Sequence, residues 1–369
     1  MNQLFRWDQT GLFLLALAAG ILPFAVPEVC AAALREGLTL CSGPLLLSLF
    51  PFLVVSRLLI QCPESDLLAM PFRLAAWGIG IRTPCAARVL CIGFLGGFAP
   101  AASAAAQAVR TGQLTAEEAD ALLPACICSG PSFVVLTVGQ SLLGSAELGV
   151  LLFASQITAN YLTAALLNRF AGVRSVKPGS AVPAFPAPPR LDEILADAAI
   201  TYCKLCGFIL FFRLLAAGAG ALLPAGAGTL CSILLEVCSG CDLASRTGRW
   251  GSLLCCAALS VQGLSVLLQV RTICPPEMTL RPLYRARMLH LPLSLALFYL
   301  LLPGGEADVF STLPARVLLM RRVPPDCALL VFAGCCMAAC TLRSGIRQVE
   351  QKQMARNAGG CCINSKTLL

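Results

Sequence analysis

The chain has 369 residues, of which 57% are hydrophobic and only 12% are charged, and its formal net charge is +8. So few polar side chains cannot cover the surface of a soluble domain, in which about a quarter of the residues are charged. The composition therefore excludes an ordinary soluble enzyme, a disordered protein and a coiled coil, and it predicts a membrane protein.

Uncharged stretches of helix-forming length recur along the chain. A helix needs roughly 20 apolar residues to cross a bilayer, and continuous apolar runs without two-residue alternation favour helices over a barrel. We therefore predict an all-α, polytopic helical membrane protein, with the lipid bilayer as its first partner. The uncharged stretches are 9–27, 37–56, 89–109, 121–146, 148–168, 214–235, 250–270, 288–305 and 327–342.

Two features divide the chain into units. The stretch 9–27 follows Arg6 and has no convincing cleavage site before Cys30, so we predict a retained first helix. The segment 171–190 contains five prolines, and Pro-rich segments form extended spacers. The predicted units are an N-terminal membrane helix (1–35), a first membrane repeat (36–170), a Pro-rich cytoplasmic linker (171–191), a second membrane repeat (192–300), a C-terminal membrane helix region (301–342) and a basic cytoplasmic tail (343–369).

Three short matches in the same order indicate that the two repeats are copies of one unit. In the first match, Arg57 and Arg213 each lie near the end of an apolar helix, from which they can reach the membrane interface. We therefore expect two similar halves related by an approximate two-fold axis. The matched segments are 52–59 with 208–215, Gly96-Gly97 and Ser103 with Ser239-Gly240 and Ser245, and 129–134 with 262–267.

Glycine and proline interrupt two apolar stretches of the first repeat. Gly93, Gly96, Gly97 and Pro100 fall within 89–109, and Ser129-Gly130-Pro131 falls within 121–146. Backbone freed at membrane depth is tolerated only inside protein or beside a water-filled cavity. Broken segments at corresponding positions of two halves are typical of a transporter binding site. The alternative is a pair of kinked structural helices.

An acidic helix start lies between these interruptions. Thr115 and Glu118 have the spacing of a capping box, so a helix should begin after Thr115. Glu117, Glu118 and Asp120 suit the positive end of that helix, and we expect them to be exposed to water. A cation site is the alternative.

Glu236 is the notable ionisable residue, because 22 uncharged residues precede it. A carboxylate within a span suggests function; alternatively, Glu236 ends a helix and pairs with Arg246 or Arg249. Gln262 and Gln269 are seven residues apart, which places them on nearly the same helix face. There they are expected to line a polar cavity.

The 21 cysteines do not predict a metal centre. Cys203-x-x-Cys206 and Cys238-x-x-Cys241 have the spacing of half a zinc site, but most cysteines lie in apolar runs, where they pack as small hydrophobic residues. The chain has one histidine and shows no nucleophile–base pair or phosphate loop. We therefore expect no metal, no cofactor, no catalytic residue and no enzymatic activity. The basic residues lie between apolar runs, which argues against nucleic acid as a partner.

Several motifs together resemble the YlbJ-type sporulation integral membrane proteins, which carry two Gate, or nucleoside-recognition, segments. They are 93–100, 112–123, 129–133, 236–240 and 260–269, in the order of that family. The sequence departs from the family pattern at Ala99, Gln262 and Leu267. The resemblance implies an endospore-forming bacterium, a role in spore formation and a multi-pass location in the forespore or mother-cell membrane. It does not name a solute.

Charge predicts the orientation, because Lys and Arg near helix ends are retained on the cytoplasmic side. The linker, the tail and the connection 61–88 are basic and are predicted inside, together with the N-terminus. The connection 303–308 has two acids and no base and is predicted outside.

Two functions remain open. The first is a protein of transporter-like architecture that moves or senses a small polar solute during spore formation. The second is a non-transporting scaffold for spore-membrane assembly, with a homo-oligomer or other spore-membrane proteins as partners, because small residues in 99–106 permit close helix approach. The candidate substrate-binding residues are Gly96, Gly97, Ser129, Gly130, Pro131, Ser132, Glu236, Gln262, Gly263, Ser265 and Gln269.

Overall fold

The structure is a computed structural model that describes residues 9–62, 65–171 and 191–302. Within these ranges every regular element is a helix, which confirms the predicted all-α class. The helices are α1 (Gln9–Ala25), α2 (Pro27–Ser42), α3 (Pro44–Gln61), α4 (Ser65–Leu68), α5 (Met70–Gly78), α6 (Pro84–Gly96), α7 (Phe98–Arg110), α8 (Ala116–Cys126), a π-helix (Ser132–Leu142), α9 (Ala146–Ala171), α10 (Leu191–Leu222), α11 (Ala225–Leu235), α12 (Val237–Ser245), a 3₁₀ turn (Gly248–Trp250), α13 (Gly251–Val261), α14 (Gly263–Ile273) and α15 (Arg281–Leu301).

Four helical stretches of the described chain are long and apolar enough to cross a membrane: Pro27–Ile60, Ala146–Ala171, Leu191–Leu222 and Gly248–Ile273. Large apolar side chains such as Phe24 point outward, where lipid would cover them. The chain is therefore a helical membrane protein. The predictions for the Pro-rich linker, for 301–342, for the tail and for the N-terminal charge concern residues that lie almost entirely outside the described ranges. The predicted boundary at 35/36 falls within α2.

The order of helices in 44–171 recurs in 191–301. Each part begins with a long helix, continues with two helices that are interrupted by a non-helical break, and ends with a second long helix. We call each interrupted helix a broken helix. The order is α3, α6/α7, α8/π-helix and α9 in the first half, and α10, α11/α12, α13/α14 and α15 in the second. The short helices α4 and α5 lie between α3 and α6 and have no counterpart between α10 and α11.

Helices α2 and α3 form one kinked stretch, Pro27–Ile60, that packs antiparallel to α10, and an ion pair ties it at each end. Arg57 Nη1 contacts Asp197 Oδ2 at 2.5 Å, and Arg213 Nη2 contacts Glu36 Oε2 at 2.7 Å. Between these pairs, Tyr202 donates a hydrogen bond to the carbonyl of Cys41. Each of the two matched arginines therefore pairs with an acid across the contact between α2–α3 and α10.

The capping box at the start of α8 is present as predicted. Thr115 Oγ1 accepts from the Glu118 amide at 3.1 Å, and the Glu118 carboxylate accepts from the Thr115 amide. The expected exposure of the acidic turn is wrong for two of its three acids, because Glu118 and Asp120 are buried. Asp120 accepts three hydrogen bonds from Thr279 and Leu280, so it fixes the turn that precedes α15.

Arg88 also differs from its expected place. It was assigned to a basic connection, but it lies buried in α6. Its Nε is 2.9 Å from Asp66 Oδ1, and its Nη1 donates to the carbonyl of Ile60 at 2.7 Å. A buried arginine that is paired in this way gives no information about the side of the membrane on which the connection 61–88 lies.

Candidate functional site

In the first half, the two breaks touch each other through their backbones. The break of α6/α7 is Gly97, with φ +80°, and the break of α8/π-helix spans 127–131. A Cβ atom on Gly97 would lie 2.7 Å from Gly130 N. Only glycine permits both this positive φ and this close approach, so the glycines predicted from sequence set the crossing of the two broken helices.

The second half repeats this arrangement. The break of α11/α12 is Glu236 in an extended conformation, and the break of α13/α14 is Gln262, which is left-handed with φ +66°. A Cβ atom on Gly263 would lie 3.0 Å from Glu236 N, so these two breaks also touch.

Two details differ from the sequence prediction. The break falls three residues before Ser239-Gly240, because Glu236 caps the new helix with its own side chain. Gln262 lies at the break and α14 begins after it, so Gln262 and Gln269 do not share one helix face.

One cavity lies where broken helices of both halves meet. Its volume is about 60 Å³, which is room for several water molecules. Most of its wall is apolar, with three phenylalanine rings, Phe52, Phe98 and Phe133, among the lining side chains. The rest of the lining includes polar side chains and glycine backbone from the breaks. A small number of polar groups in an apolar cavity is typical of small-molecule sites.

Six of the eleven residues predicted from sequence line this cavity. They are Gly96, Ser129, Gly130 and Ser132 from the first half and Glu236 and Gln269 from the second. The other five lie outside its lining. They are Gly97 and Gly263, which pack against the neighbouring breaks, Gln262 and Ser265, which are buried behind the wall, and Pro131, which precedes the π-helix.

Glu236 is buried, with 2% of its surface exposed, and its carboxylate is held by the first turn of α12. Oε1 accepts from the Cys238 amide at 2.8 Å, and Oε2 accepts from the Ser239 amide at 2.7 Å and from Ser239 Oγ at 2.8 Å. The positive end of a helix stabilises such a carboxylate. The alternative pairing with Arg246 or Arg249 is wrong, since Arg246 pairs with Asp242 and the Arg249 guanidinium lies over the Trp250 ring.

Gln269 presents an acceptor at the same cavity. Its Nε2 donates to Ser265 Oγ at 2.9 Å, whereas its buried Oε1 has no hydrogen-bond partner within the described chain. A buried polar atom without a partner is costly, so this atom marks a place where a ligand or water completes the site.

A second polar cluster was not predicted from sequence. Arg287 on α15 is 7% exposed, and its Nη2 donates to the carbonyl of Ile127, at the end of α8, at 2.7 Å. Weaker contacts of 3.3 and 3.4 Å join its guanidinium to the Ser260 carbonyl, in the last turn of α13, and to Asn160 Oδ1. Arg287 therefore joins the C-terminal ends of two half-helices, one from each half of the chain.

Neighbouring residues extend this cluster along the antiparallel helices α9 and α15. His290 Nε2 lies 3.2 Å from the Gln156 carbonyl, and Gln156 Nε2 donates to Ser260 Oγ at 3.0 Å. The cluster is visible in the sequence only through the spacing of the buried face of α15: Leu283, Ala286, Arg287, His290, Ser294 and Phe298.

The cysteines of the described ranges are free thiols, and most are buried. Within those ranges, no group of three or more histidine, cysteine or acidic side chains is arranged to hold a metal ion. Cys203 and Cys206 lie on α10, and Cys238 and Cys241 lie on α12.

No family model, curated protein or solved structure matches the chain. The resemblance to YlbJ-type proteins therefore depends on the sequence motifs alone, and a function has to be argued from the geometry of the cavity.

Proposed function

We propose that the protein is a membrane transport protein whose two similar halves enclose a binding site for a small polar solute. The observation that carries this proposal is the cavity, which is lined by breaks from both halves. Half-helices of 11–13 residues, such as α6 and α11, are about 16–20 Å long and too short to cross a bilayer alone. Their broken ends therefore lie at membrane depth, where irregular backbone requires a cavity or protein around it.

The pairing of long helices supports an inverted repeat. Corresponding helices of the two halves run antiparallel: α3 with α10, joined by Arg57–Asp197, and α9 with α15, joined by Gln156–His290 and Asn160–Arg287. A two-fold axis that relates antiparallel membrane helices lies in the membrane plane. This symmetry is typical of secondary transporters that bind their substrate near the midplane.

The sporulation role comes from the resemblance to YlbJ-type proteins. Deleting the gene in the native endospore-former should lower spore heat resistance and change the small polar solutes of forespore and mother cell. Normal spores with unchanged solutes would contradict the role in spore formation.

A cavity-filling variant tests the site itself. Ser132→Phe should fill the cavity, because Ser132 lines it at the start of the π-helix. Leu136→Phe is the matched control, since Leu136 lies one turn on and is partly exposed on the lipid side. At equal membrane abundance, the control should restore heat resistance to the deletion strain and Ser132→Phe should not. Full restoration by Ser132→Phe would overturn the proposed site.

The scaffold alternative loses its main sequence argument in this fold. The small residues of 99–106 are buried against the chain's own helices, chiefly α3, α6 and α8. They are not available on the surface for a partner helix.

A further inference from the structure

The two halves differ at corresponding positions of the cavity. In the second half, the break before α12 carries a carboxylate, Glu236, which caps the helix. In the first half, the corresponding break before α7 is Gly97, which has no side chain, and no side chain caps α7 or the π-helix. The second-half side of the cavity therefore carries a carboxylate, although α14 there also begins without a side-chain cap. The first-half side carries no carboxylate, and within the described ranges it presents only helix N-termini without side-chain caps.

At the acidic end, no arginine or lysine of the described residues forms an ion pair with Glu236, whose hydrogen-bond partners are Cys238 and Ser239. Arg213 acts electrostatically on Glu236, but its guanidinium is bonded to Glu36. Two carboxylates thus share one arginine, and the α12 N-terminus supplies only about half a positive charge. The unpartnered Oε1 of Gln269 adds an acceptor to the same cavity. Together these groups suit a ligand that carries N–H donors and a positive charge.

At the other end, the groups suit an anion. Helix N-termini carry partial positive charge and attract carboxylates, as the carboxylate of Glu236 does at α12. Ser129 is 6% exposed, lines the cavity and forms no side-chain hydrogen bond within the described part of the chain. Its hydroxyl is therefore a donor available to a ligand at this end.

We propose that the cavity binds a small zwitterion of the amino-acid type, with its ammonium group at Glu236 and Gln269 and its carboxylate at Ser129 and Gly130. The apolar walls and the small volume favour a short side chain. This inference rests on the proposed function, because it assigns the substrate class of the same cavity.

Radioligand binding to the purified full-length protein in nanodiscs tests the inference. Tritiated L-alanine is the probe, with glycine and L-serine as further zwitterions. L-alanine methyl ester keeps only the positive charge, and propionate keeps only the negative charge. We expect saturable binding of L-alanine, competition by glycine or L-serine, and competition by either singly charged compound that is weaker by about tenfold or more. Equal competition by either singly charged compound, or no saturable binding, overturns the inference.

Variants assign the two ends of the ligand. Glu236→Gln should weaken L-alanine binding by about tenfold or more, and Asp242→Asn is its control, because Asp242 lies on the same helix and is paired with Arg246. If Glu236→Gln does not fold, Gln269→Met keeps the carboxylate and should still weaken binding. Ser129→Ala should weaken binding by about threefold or more while leaving the affinity for the methyl ester unchanged. Unchanged L-alanine affinity in the folded variants overturns the inference.

The experiments distinguish a wrong substrate class from a wrong function. If no zwitterion binds but Ser132→Phe still abolishes complementation, the cavity keeps its role and only the substrate class is wrong.

Discussion

Replacing Arg287 by methionine should destabilise the protein by about 3 kcal/mol, although it removes a buried charge. The guanidinium donates to the Ile127 carbonyl at 2.7 Å, and such a charge-assisted bond contributes about 1.5–3 kcal/mol. The contacts at 3.3 and 3.4 Å are long and add little. On bonds alone, the loss is therefore about 2 kcal/mol.

The partial charges at two helix C-termini decide whether replacing Arg287 stabilises or destabilises the protein. Burying a lone charge costs several kcal/mol, and removing Arg287 relieves that cost. However, α8 and α13 each end at this guanidinium, and each helix C-terminus carries about half a negative charge. The two ends together neutralise Arg287, so its removal leaves them uncompensated at a further cost of about 0.5–2 kcal/mol. The value for the hydrogen bond is already net of the desolvation of the guanidinium, so no further relief is subtracted. The two terms together give about 2.5–4 kcal/mol, in line with the loss of about 3 kcal/mol stated above.

Unfolding by increasing SDS fraction in mixed micelles, followed by circular dichroism, measures this loss. Arg287→Lys should lose about half as much, because it keeps the charge but lacks the planar fork. Arg285→Met is the matched control, since Arg285 is exposed on the same helix, and it should change stability by less than about 0.5 kcal/mol. An Arg287→Met protein as stable as the wild type would show that desolvation outweighs the helix ends and would refute the reasoning.

Two further variants test local contacts by the same unfolding titration. Asp120→Asn should cost about 2–3 kcal/mol because the turn before α15 loses a charged acceptor, whereas Glu117→Gln, in the same helix turn but exposed, should be nearly neutral; equal losses would contradict the assigned role. Gly97→Ala should lower the free energy of unfolding by about 3 kcal/mol or more, because a positive φ and a clash with Gly130 act together. Gly80 also has a positive φ but faces open space, so Gly80→Ala should lower it by only about 1–2 kcal/mol. Similar costs for the two glycines would show that the crossing tolerates a side chain.

Sequence patterns predicted the elements that depend on local chemistry. Composition indicated membrane helices, the interruptions at Gly93–Pro100 and Ser129-Gly130-Pro131 indicated broken helices, and Thr115 with Glu118 indicated a capping box. In each case, a residue type has a local conformational effect that the surrounding fold preserves.

The features that were missed depend on long-range contacts. Asp120 was expected in water because nothing near it in sequence reveals the donors of the turn before α15, about 160 residues later. Arg287 was not singled out from the sequence, because its buried position follows only once α15 is known to start at Arg281. The sequence match placed the second-half break at Ser239-Gly240, but the break lies at Glu236. The side chain of Glu236 caps α12 there, at the position that Gly97 occupies in the first half.

The packing of the kinked stretch α2–α3 against α10 has a consequence for how the chain is made. Glu36 and Arg57 find their partners in α10, at separations of 177 and 140 residues. During synthesis, both charges enter the translocon long before those partners have left the ribosome, which adds about 5–20 residues per second. At that rate, Glu36 and Arg57 wait roughly ten seconds for their partners. Both ion pairs therefore form only after the whole first half has been made.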